Sequence, residues 1–377
     1  MERPAFTVGI EEEYLLVDPD TRDLVGNPGE SFMAECAELL GPRVSPELLK
    51  AQVEVVTSPA ADIDGAGAEL RSLRSSVCEI AERHGFEVIA ASTHPFAHWA
   101  EQEITDKERY LMLAQDLQGV VRRLMISGMH VHVGIEEPDL RLDLMNQVVY
   151  FLPHLLAMST SSPFWDGGDT GLKSYRMAVF YSMPRTGLPE PFSSWAEYER
   201  HVAVLRDAGV IEDASRLWWD IRPSARYPTI EMRISDVCTR IDDGLTIAAV
   251  FQALLGMLFR RRQENQRWRT YATMLIRENV WRAQRYGVEA TLMDFGRGVL
   301  VPYPDLVDEI VELVRTDAEE LGCLDHVLRA PGIAADGTSA DRQLAAYRAV
   351  VDAGGSVHEG LIAVVDELIV DTKYGLE

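Results

Sequence analysis

Four short segments of this chain carry acidic or imidazole side chains at alternate positions among apolar residues. The segments are residues 9–14, 52–57, 128–134 and 229–236. Because successive side chains on a β-strand point to opposite faces, the alternation predicts four strands, each with one polar and one largely apolar face. An antiparallel sheet whose apolar face packs on helices would gather the four polar faces into one cavity. No other feature of the sequence constrains the fold as strongly.

The first of these segments reads Gly-Ile-Glu-Glu-Glu-Tyr. On a strand, Glu11 and Glu13 share one face, while Glu12 lies on the other face with Ile10 and Tyr14. Two neighbouring carboxylates repel each other unless a positive charge lies between them. Taken alone, the pattern fits a metal site and a solvated acidic edge strand equally well.

The other three segments add imidazole, carboxylate and guanidinium groups. His130 and His132 share one face of an otherwise apolar strand, a spacing that suits metal ligation by neutral imidazole. Glu54 interrupts a β-branched run and, if it is buried, needs a cation or water as its partner. Glu231 and Arg233 alternate with apolar residues, a pattern that a surface ion pair also explains. A satisfied core histidine and a solvent-facing Glu54 stay open as alternatives.

Together, the four polar faces predict a metal-dependent phosphoryl-transfer site. Ligation by several glutamates favours Mg²⁺ or Mn²⁺, and Mg²⁺ commonly bridges protein carboxylates and nucleotide phosphates. Residues 167–174 resemble a P-loop, but Leu172 occupies the required glycine position and no strand is predicted before it. The phosphoryl site is therefore expected to be lined by the sheet.

The formal charge of −24 over 377 residues disfavours nucleic acid and anionic membranes as partners. The chain opens with charged residues, so no signal peptide is expected. The best membrane candidate, residues 247–259, is too short for a span of ~20 residues and contains Gln252. Four widely spaced cysteines without a C-x-x-C pair fit a reducing compartment. A cytoplasmic protein is the resulting expectation.

Helical periodicity separates the predicted strands, and the two do not alternate strictly. Helices are expected over residues 66–84, 106–125, 139–159, 242–286, 304–321 and 339–353, with Asp106 and Ser339 as N-caps. A further strand is expected over residues 86–92. Residues 161–191, rich in Gly, Pro and Ser, are expected to form a long ordered loop. The pattern favours the α+β class, a mainly antiparallel sheet backed by long helices, as a single domain over residues 1–377.

Six motifs in order resemble the glutamate–cysteine ligase type 2 family, specifically the YbdK-like carboxylate–amine ligases. The polar segments supply G-x-E-x-E at residues 9–13, E-V-V-T at 54–57, G-M-H-V-H-V-G at 128–134 and T-I-E-M-R at 229–233. Supporting matches lie within residues 162–176 and 278–287. The motifs run over about residues 5–290, and six in order are specific although each is weak alone.

The resemblance implies a glutamine-synthetase-like catalytic fold, in which a funnel-shaped antiparallel sheet holds metal ions and ATP. The metal ligands implied for Mg²⁺ or Mn²⁺ are Glu11, Glu13, Glu54, His130 and Glu231. Arg233, together with Glu231, would act on the transferred phosphoryl group. The residues implied to contact nucleotide phosphate or a substrate carboxylate are Arg176, Lys173 and Arg282.

Two of the implied roles stay open at this point. His132 is not assigned as a ligand, since more distant relatives need not keep a histidine there. Arg282 equally fits a surface pair with Glu278, four residues earlier on a predicted helix.

The implied reaction joins a carboxylic acid to an amine with ATP, through an acyl phosphate, to give an amide of the γ-glutamyl type. Weak glutamate–cysteine ligase activity is one form that it could take. Residues 161–191 would cover the site, and a homodimer is expected. The alternatives are a metal-dependent hydrolase of the amidohydrolase type, a phosphagen-kinase-like phosphotransferase that stops at phosphorylation, and a non-catalytic binding protein.

Overall fold

The computed structural model describes residues 2–376. Its strands are β1 (Val8–Val17), β2 (Val44–Pro46), β3 (Gln52–Val56), β4 (Glu87–Ile89), β5 (Met129–Gly134), β6 (Phe164–Trp165), β7 (Gly168–Asp169), β8 (Thr186–Gly187), β9 (Trp218–Trp219), β10 (Ile221–Pro223), β11 (Thr229–Met232), β12 (Thr291–Asp294) and β13 (Val299–Pro302). Its helices are α1 (Glu30–Leu40), α2 (Ile63–Arg83), α3 (Glu108–Leu117), α4 (Pro138–Val148), α5 (Leu152–Ser159), α6 (Tyr175–Phe180), α7 (Trp195–Asp207), α8 (Ile241–Gln263), α9 (Thr273–Tyr286), α10 (Tyr303–Glu320), α11 (Leu324–Val327), α12 (Ala330–Asp336), α13 (Ser339–Val351) and α14 (Val357–Lys373).

Seven of these strands form the main sheet, in the order β10–β11–β5–β1–β3–β2, with β4 paired to the C-terminal end of β1. All pairings within this sheet are antiparallel. The predicted α+β class with a mainly antiparallel sheet is therefore confirmed. The amidohydrolase alternative is wrong, because that fold requires a barrel of parallel strands alternating with helices.

The apolar face of the main sheet packs on helices, as the alternation predicts. Ile10 and Tyr14 of β1 and Val131 and Val133 of β5 are fully buried. Helices α2 and α8 lie against β1, and α8 also lies against β5. The polar side chains of the same strands lie on the opposite face of the sheet.

Helix α8 is long and apolar enough to cross a membrane by length and composition, and 89% of its most apolar window is buried inside the protein. The expectation that residues 247–259 are too short for a span is wrong, since the helix extends over 23 residues. Its composition is that of a core helix, which is apolar on all sides because other elements surround it.

The long helix predicted over residues 242–286 is wrong in one respect, because it is interrupted between α8 and α9. Asn265 adopts a left-handed backbone conformation with φ of 58°, which ends α8. The Trp268 N–H then donates to Gln147 Oε1 at 2.8 Å, outside any helical pattern. Helical periodicity gives no signal for this break, because the break depends on a hydrogen bond between residues far apart in sequence.

Helix ends also differ from the predictions. The helix expected over residues 106–125 covers only α3, whose N-cap is Lys107 rather than Asp106 and whose end is set by Gln118 at φ 51°. Helix α13 begins at Ser339 itself, one residue earlier than the predicted cap implies, because Thr338 rather than Ser339 is the N-cap and forms a capping box with Asp341. The loop expected over residues 161–191 contains α6 and three two-residue strands.

Glu12, the middle residue of the Glu-Glu-Glu run, is held on the buried face of β1. Its Oε2 atom accepts hydrogen bonds from Arg74 Nη2 at 2.6 Å and from Tyr14 Oη at 2.5 Å. Arg74, on α2, also donates to the carbonyl oxygens of Cys238 and Thr239 at 3.1 and 2.6 Å. Both charged side chains are fully buried. One ion pair thus joins β1, α2 and the segment that leads into α8.

Replacing Arg74 with methionine is expected to destabilise the protein by about 3–5 kcal/mol, because the Glu12 carboxylate would stay buried without its cation. Denaturant unfolding followed by circular dichroism measures the loss. Arg83→Met is the matched control on α2, since Arg83 forms a half-exposed pair with Glu35 whose loss should cost much less. Equal losses for the two variants would contradict this role for the buried pair.

Candidate active site

The antiparallel register places polar residues of neighbouring strands directly opposite one another, where Cβ atoms lie about 5 Å apart. The facing pairs are Glu11 with His130, Glu13 with Glu54, and His132 with Glu231. The four polar faces predicted from the sequence therefore meet on one face of one sheet. Alternation set the face of each side chain, and strand register determines which side chains meet.

Glu11 lies between the two histidines of β5. Its Oε2 atom is 3.0 Å from His130 Nδ1, and its Oε1 atom is 3.2 Å from His132 Nε2. Burial alone would raise the pKa of Glu11, but the hydrogen bonds and charges of both histidines lower it well below its usual value. Burial, reinforced by the charge of Arg233, lowers the pKa of His130 to about 4. His130 is therefore neutral at pH 7, the form that ligates a metal.

Glu231 is a buried carboxylate held by two arginines. Arg222 faces it across the β10–β11 hairpin and donates to it from Nε at 2.9 Å and from Nη2 at 3.0 Å. Arg233, two residues further along the chain, contacts the same carboxylate, and its Nη1 atom lies 3.4 Å from His130 Nδ1. Burial alone would raise the pKa of Glu231, but the two guanidinium charges lower it far below its usual value. Glu231 is consequently an ionised ligand candidate at neutral pH.

Glu13, Glu47 and Glu54 form a group of three carboxylates, with one oxygen from each within 4.8 Å of the others. Glu13 accepts a hydrogen bond from the Gly128 N–H at 2.8 Å, and Glu54 accepts one from Ser45 Oγ at 2.9 Å. Burial and then repulsion by Glu47 raise the pKa of Glu13 to about 8 and that of Glu54 well above its usual value. Carboxylates this close need a proton or a cation between them.

Among the residues that the structure describes, three groups of carboxylates or imidazoles could hold a metal ion, and the ligand atoms of each group lie within 4.8 Å of one another. The groups are Glu11–Glu54–His130, Glu11–His132–Glu231 and Glu13–Glu47–Glu54. Carboxylate oxygens with one imidazole suit Mg²⁺ or Mn²⁺. The raised pKa values of Glu13 and Glu54 agree with this fit, because they reflect first burial and then repulsion by Glu47, and a bound divalent cation would offset both. The structure brings all five predicted ligands into these groups, and His132 joins them.

A cavity of about 130 Å³ lies beside the group Glu13–Glu47–Glu54 and is also lined by His130, Arg176 and Arg233. Arg176, on α6, is buried, and its hydrogen bonds go only to neutral atoms in the described part of the chain. These partners are the Met177 sulfur and the carbonyl oxygens of Ile234 and Arg233, at 3.3, 3.3 and 3.1 Å. Within residues 2–376, Arg176 Nε has no hydrogen-bond partner. A buried guanidinium in this state favours an anionic ligand.

Gly128, immediately before β5, leaves the space that Arg176 occupies. A Cβ atom at this position would lie 2.5 Å from Arg176 Nη2. A larger residue would therefore push the guanidinium away from its present place. The glycine that opens the G-M-H-V-H-V-G motif is explained by this close approach.

The structure does not bring Lys173 and Arg282 into the cavity. Lys173 pairs with Asp341 at the start of α13. Arg282 donates to the carbonyl oxygen and Oγ1 of Thr291, and its Nη1 atom lies 3.9 Å from Glu278. The alternative of a surface pair with Glu278 is thus the arrangement that Arg282 adopts. Both cations have partners within the protein.

Sequence reasoning missed Glu47 and Arg222. Glu47 lies in the turn between β2 and β3, where no alternation marks it, and only the fold brings it to Glu54. Arg222 could have been found, because pairing β10 with β11 as a hairpin places it opposite Glu231. That inference needs the register of the hairpin, which two prolines at residues 223 and 228 obscured.

Comparison with known proteins identifies the relatives of this chain. A protein from Rhodospirillum rubrum, provisionally named glutamate–cysteine ligase 2, is 58% identical over 99% of this chain and 97% of its own length. A protein of the same name from Jannaschia sp. is 54% identical over 98% of both chains.

Solved structures with the same fold are more distant in sequence. A bifunctional glutathione synthetase from Pasteurella multocida aligns with a TM-score of 0.67 at 14% identity, over 97% of this chain and 52% of its own. This chain thus spans about half the length of that protein. A glutamate–cysteine ligase from Francisella tularensis, in complex with AMP, aligns with a TM-score of 0.65 at 15% identity, over 98% and 90%. These likenesses confirm the glutamine-synthetase-like fold class expected from the motifs.

The family itself follows from sequence. The model of the glutamate–cysteine ligase family 2 matches residues 7–367, nearly the whole chain. The near relatives cover the same span. Four of the six motifs that supported the resemblance supply the residues of the polar face of the sheet. The chain belongs to the glutamate–cysteine ligase family 2.

Proposed function

We propose that this protein is an ATP-dependent, ADP-forming carboxylate–amine ligase that makes an amide of the γ-glutamyl type. The observation that carries the proposal is the position of Arg233, which touches Glu231 and His130 and lines the cavity that contains Arg176. A phosphoryl group held near Arg233 would thus lie close to a carboxylate held by Arg176. Family membership and the names of the near relatives support the same reaction class.

The proposed ligands for Mg²⁺ or Mn²⁺ are Glu11, Glu13, Glu54, His130 and Glu231, with Glu47 and His132 in the same groups. Bound cations would neutralise phosphate charge and hold the donor and acceptor oxygens in line. The protein contributes fixed ligands. Arg222 and Arg233 orient Glu231, and the paired histidines orient Glu11.

The proposed reaction has two steps. A carboxylate oxygen of the acid attacks the terminal phosphorus of ATP, which breaks the bond to ADP and forms an acyl phosphate. The amine nitrogen then attacks the acyl carbon, the C–O bond to phosphate breaks, and the amine releases a proton. Arg233 would stabilise charge on the transferred phosphoryl oxygens with its planar guanidinium. Arg176 would hold the acid.

Water must be kept from the acyl phosphate, which it would otherwise hydrolyse. We propose that residues 161–191 cover the site within a single catalytic domain formed by residues 1–377. Three hydrogen bonds to the buried Asp236, from Ser161 N–H, Ser162 Oγ and Ser174 Oγ, at 2.9, 2.7 and 2.8 Å, anchor the first part of this segment. A cytoplasmic location and a homodimer stay predictions.

Divalent cations are expected to raise the melting temperature, and by more at pH 8 than at pH 6. A carboxyl group whose pKa is raised on folding costs stability as pH rises from its ordinary pKa to its raised one, which is about 8 for Glu13. A bound cation favours the ionised carboxylate and releases the proton, so its affinity grows over that range. Differential scanning fluorimetry with and without Mn²⁺ measures the shift.

Two variants make the metal prediction specific. Glu13→Gln should reduce the Mn²⁺ shift and most of its pH dependence, because the titrating ligand is lost. Glu38→Gln, at an exposed position on α1, should leave both unchanged. A Mn²⁺ shift of the same size and pH dependence in Glu13→Gln would remove Glu13 from the metal site.

ADP release by the purified protein is expected to need Mg²⁺, an acid and an amine together. A coupled assay over a matrix of amino acids and amines tests this, and release with an acid alone at the full rate would favour the phosphagen-kinase-like alternative.

Arg233→Lys should lower kcat about 100-fold or more, since a point charge cannot replace the planar fork. Arg206→Lys, at an exposed position on α7, is the control. An unchanged kcat in Arg233→Lys would exclude Arg233 from the mechanism.

A further inference from the structure

One part of the cavity lining is apolar. We call it the apolar wall, and its members come from α3, the end of α6 and the residues just after it, β9, and the segments that precede β3 and β5. They are Leu48, Leu113, Leu124, Ile126, Phe180, Met183 and Trp218. The wall therefore depends on the tertiary structure, because no single segment of the sequence supplies more than two of these residues.

The wall residues are nearly buried but keep some accessible surface. Phe180, Met183 and Trp218 are 6%, 7% and 8% exposed, whereas Val131 and Val133, on the helix-facing side of β5, are 0% exposed. Because the wall residues line the cavity, this surface meets whatever the cavity contains. The free energy falls when an apolar group replaces water on this apolar surface, whereas the surface offers no hydrogen-bond partner to a carboxylate or phosphate.

The charged substrate groups have partners elsewhere in the cavity. Arg176 and Arg233 supply cations for a carboxylate and a phosphoryl group, and both lie in the polar part of the lining. Tyr110 of α3 lines the cavity between the wall and this polar part, and its hydroxyl lies 3.3 Å from Glu47 Oε2. A substrate that spans the cavity would thus place its charged end at the arginines and its apolar end on the wall.

We propose that the apolar wall binds the substituent of the incoming amine, so that the enzyme prefers amines with a branched aliphatic or aromatic side chain to small or polar ones. This inference rests on the proposed ligase function. The amine is the better occupant because it must react as a neutral nucleophile, and an apolar environment disfavours the ammonium form. The acid, in contrast, needs cations. Arg176 and Arg233 supply them, whereas Arg216, which lines the cavity near Trp218, has Glu212 as its ion-pair partner at 3.3 Å.

An apolar occupant also serves the second step of the reaction. With its side chain on the wall, the amine fills the space beside the reacting carbonyl from which water could otherwise attack. Small amines would leave that space to water. The wall therefore links selection of the amine to protection of the acyl phosphate.

Steady-state ADP release in the presence of Mg²⁺ and ATP tests the preference, with glutamate, aspartate or succinate as the acid. L-Leucine and L-asparagine are matched in size and differ in polarity, and L-alanine and L-phenylalanine extend the series. The expected result is a kcat/KM for leucine at least tenfold above that for asparagine, with alanine also below leucine. Equal or higher values for asparagine or alanine would overturn the inference.

Variants on one helix separate the wall from general effects. Leu113→Asn should lower kcat/KM for leucine fivefold or more and reduce the leucine-to-asparagine ratio, with the KM for ATP unchanged. Leu111→Asn is the matched control, because Leu111 lies on the same helix and is 51% exposed. Met183→Gln, at the α6 side of the wall, should reproduce the effect if Leu113→Asn proves unstable.

The remaining outcomes distinguish this inference from the function on which it rests. A raised KM for ATP in Leu113→Asn or Met183→Gln, with an unchanged amine ratio, would assign the wall to the nucleotide and overturn the inference. Amine-dependent ADP release that favours polar amines would leave the ligase function standing and overturn only the preference. No ADP release with any pair of acid and amine would overturn both.

Discussion

Repulsion between carboxylates that crowd together on one face of the main sheet is the interaction on which the rest of this structure depends. The main sheet places Glu11, Glu13, Glu54 and Glu231 on one face, and Glu47 joins them from a turn. Two positions are compensated by the protein itself, since the histidines flank Glu11 and two arginines hold Glu231. The carboxylate of Glu13, at the other end of the group, is less fully compensated, and burial together with repulsion by Glu47 raises its pKa to about 8. If the protein binds divalent cations as proposed, this unequal compensation indicates that the Glu13 end needs one most.

Both faces of β1 carry glutamate side chains, but the glutamates of the two faces have different surroundings. On the cavity face, Glu11 and Glu13 are available to ligands, whereas on the core face Glu12 is closed off by Arg74 and Tyr14. Arg74 also binds backbone carbonyls of the segment that leads from β11 to α8. The position of the ligand-bearing strand is therefore fixed from behind by an ion pair that no ligand can reach. A continuous apolar core would pack there equally well but would not select one register by charge.

The cavity combines a cationic and an apolar environment. Arg176 and Arg233 are the cations that we propose for charged substrate atoms, and Gly128 leaves room for Arg176. The apolar wall offers a surface that favours apolar groups. In the proposed reaction an amine would have to reach the acyl phosphate before water does, which requires that the two environments adjoin. In this fold they adjoin where α3 and α6 approach the sheet.

The sequence by itself determined the α+β class, the polar strands, the family and the strand face on which the five proposed ligands lie, because alternation along a strand is a local property that survives without knowledge of the fold. It could not determine which strands are neighbours, and so it missed Glu47 and Arg222 and did not show that Lys173 and Arg282 lie outside the cavity lining. Contacts between residues far apart in sequence depend on register, helix breaks and packing, which carry no period. The apolar wall belongs to the same class, since its side chains are ordinary core residues until the fold leaves a cavity beside them.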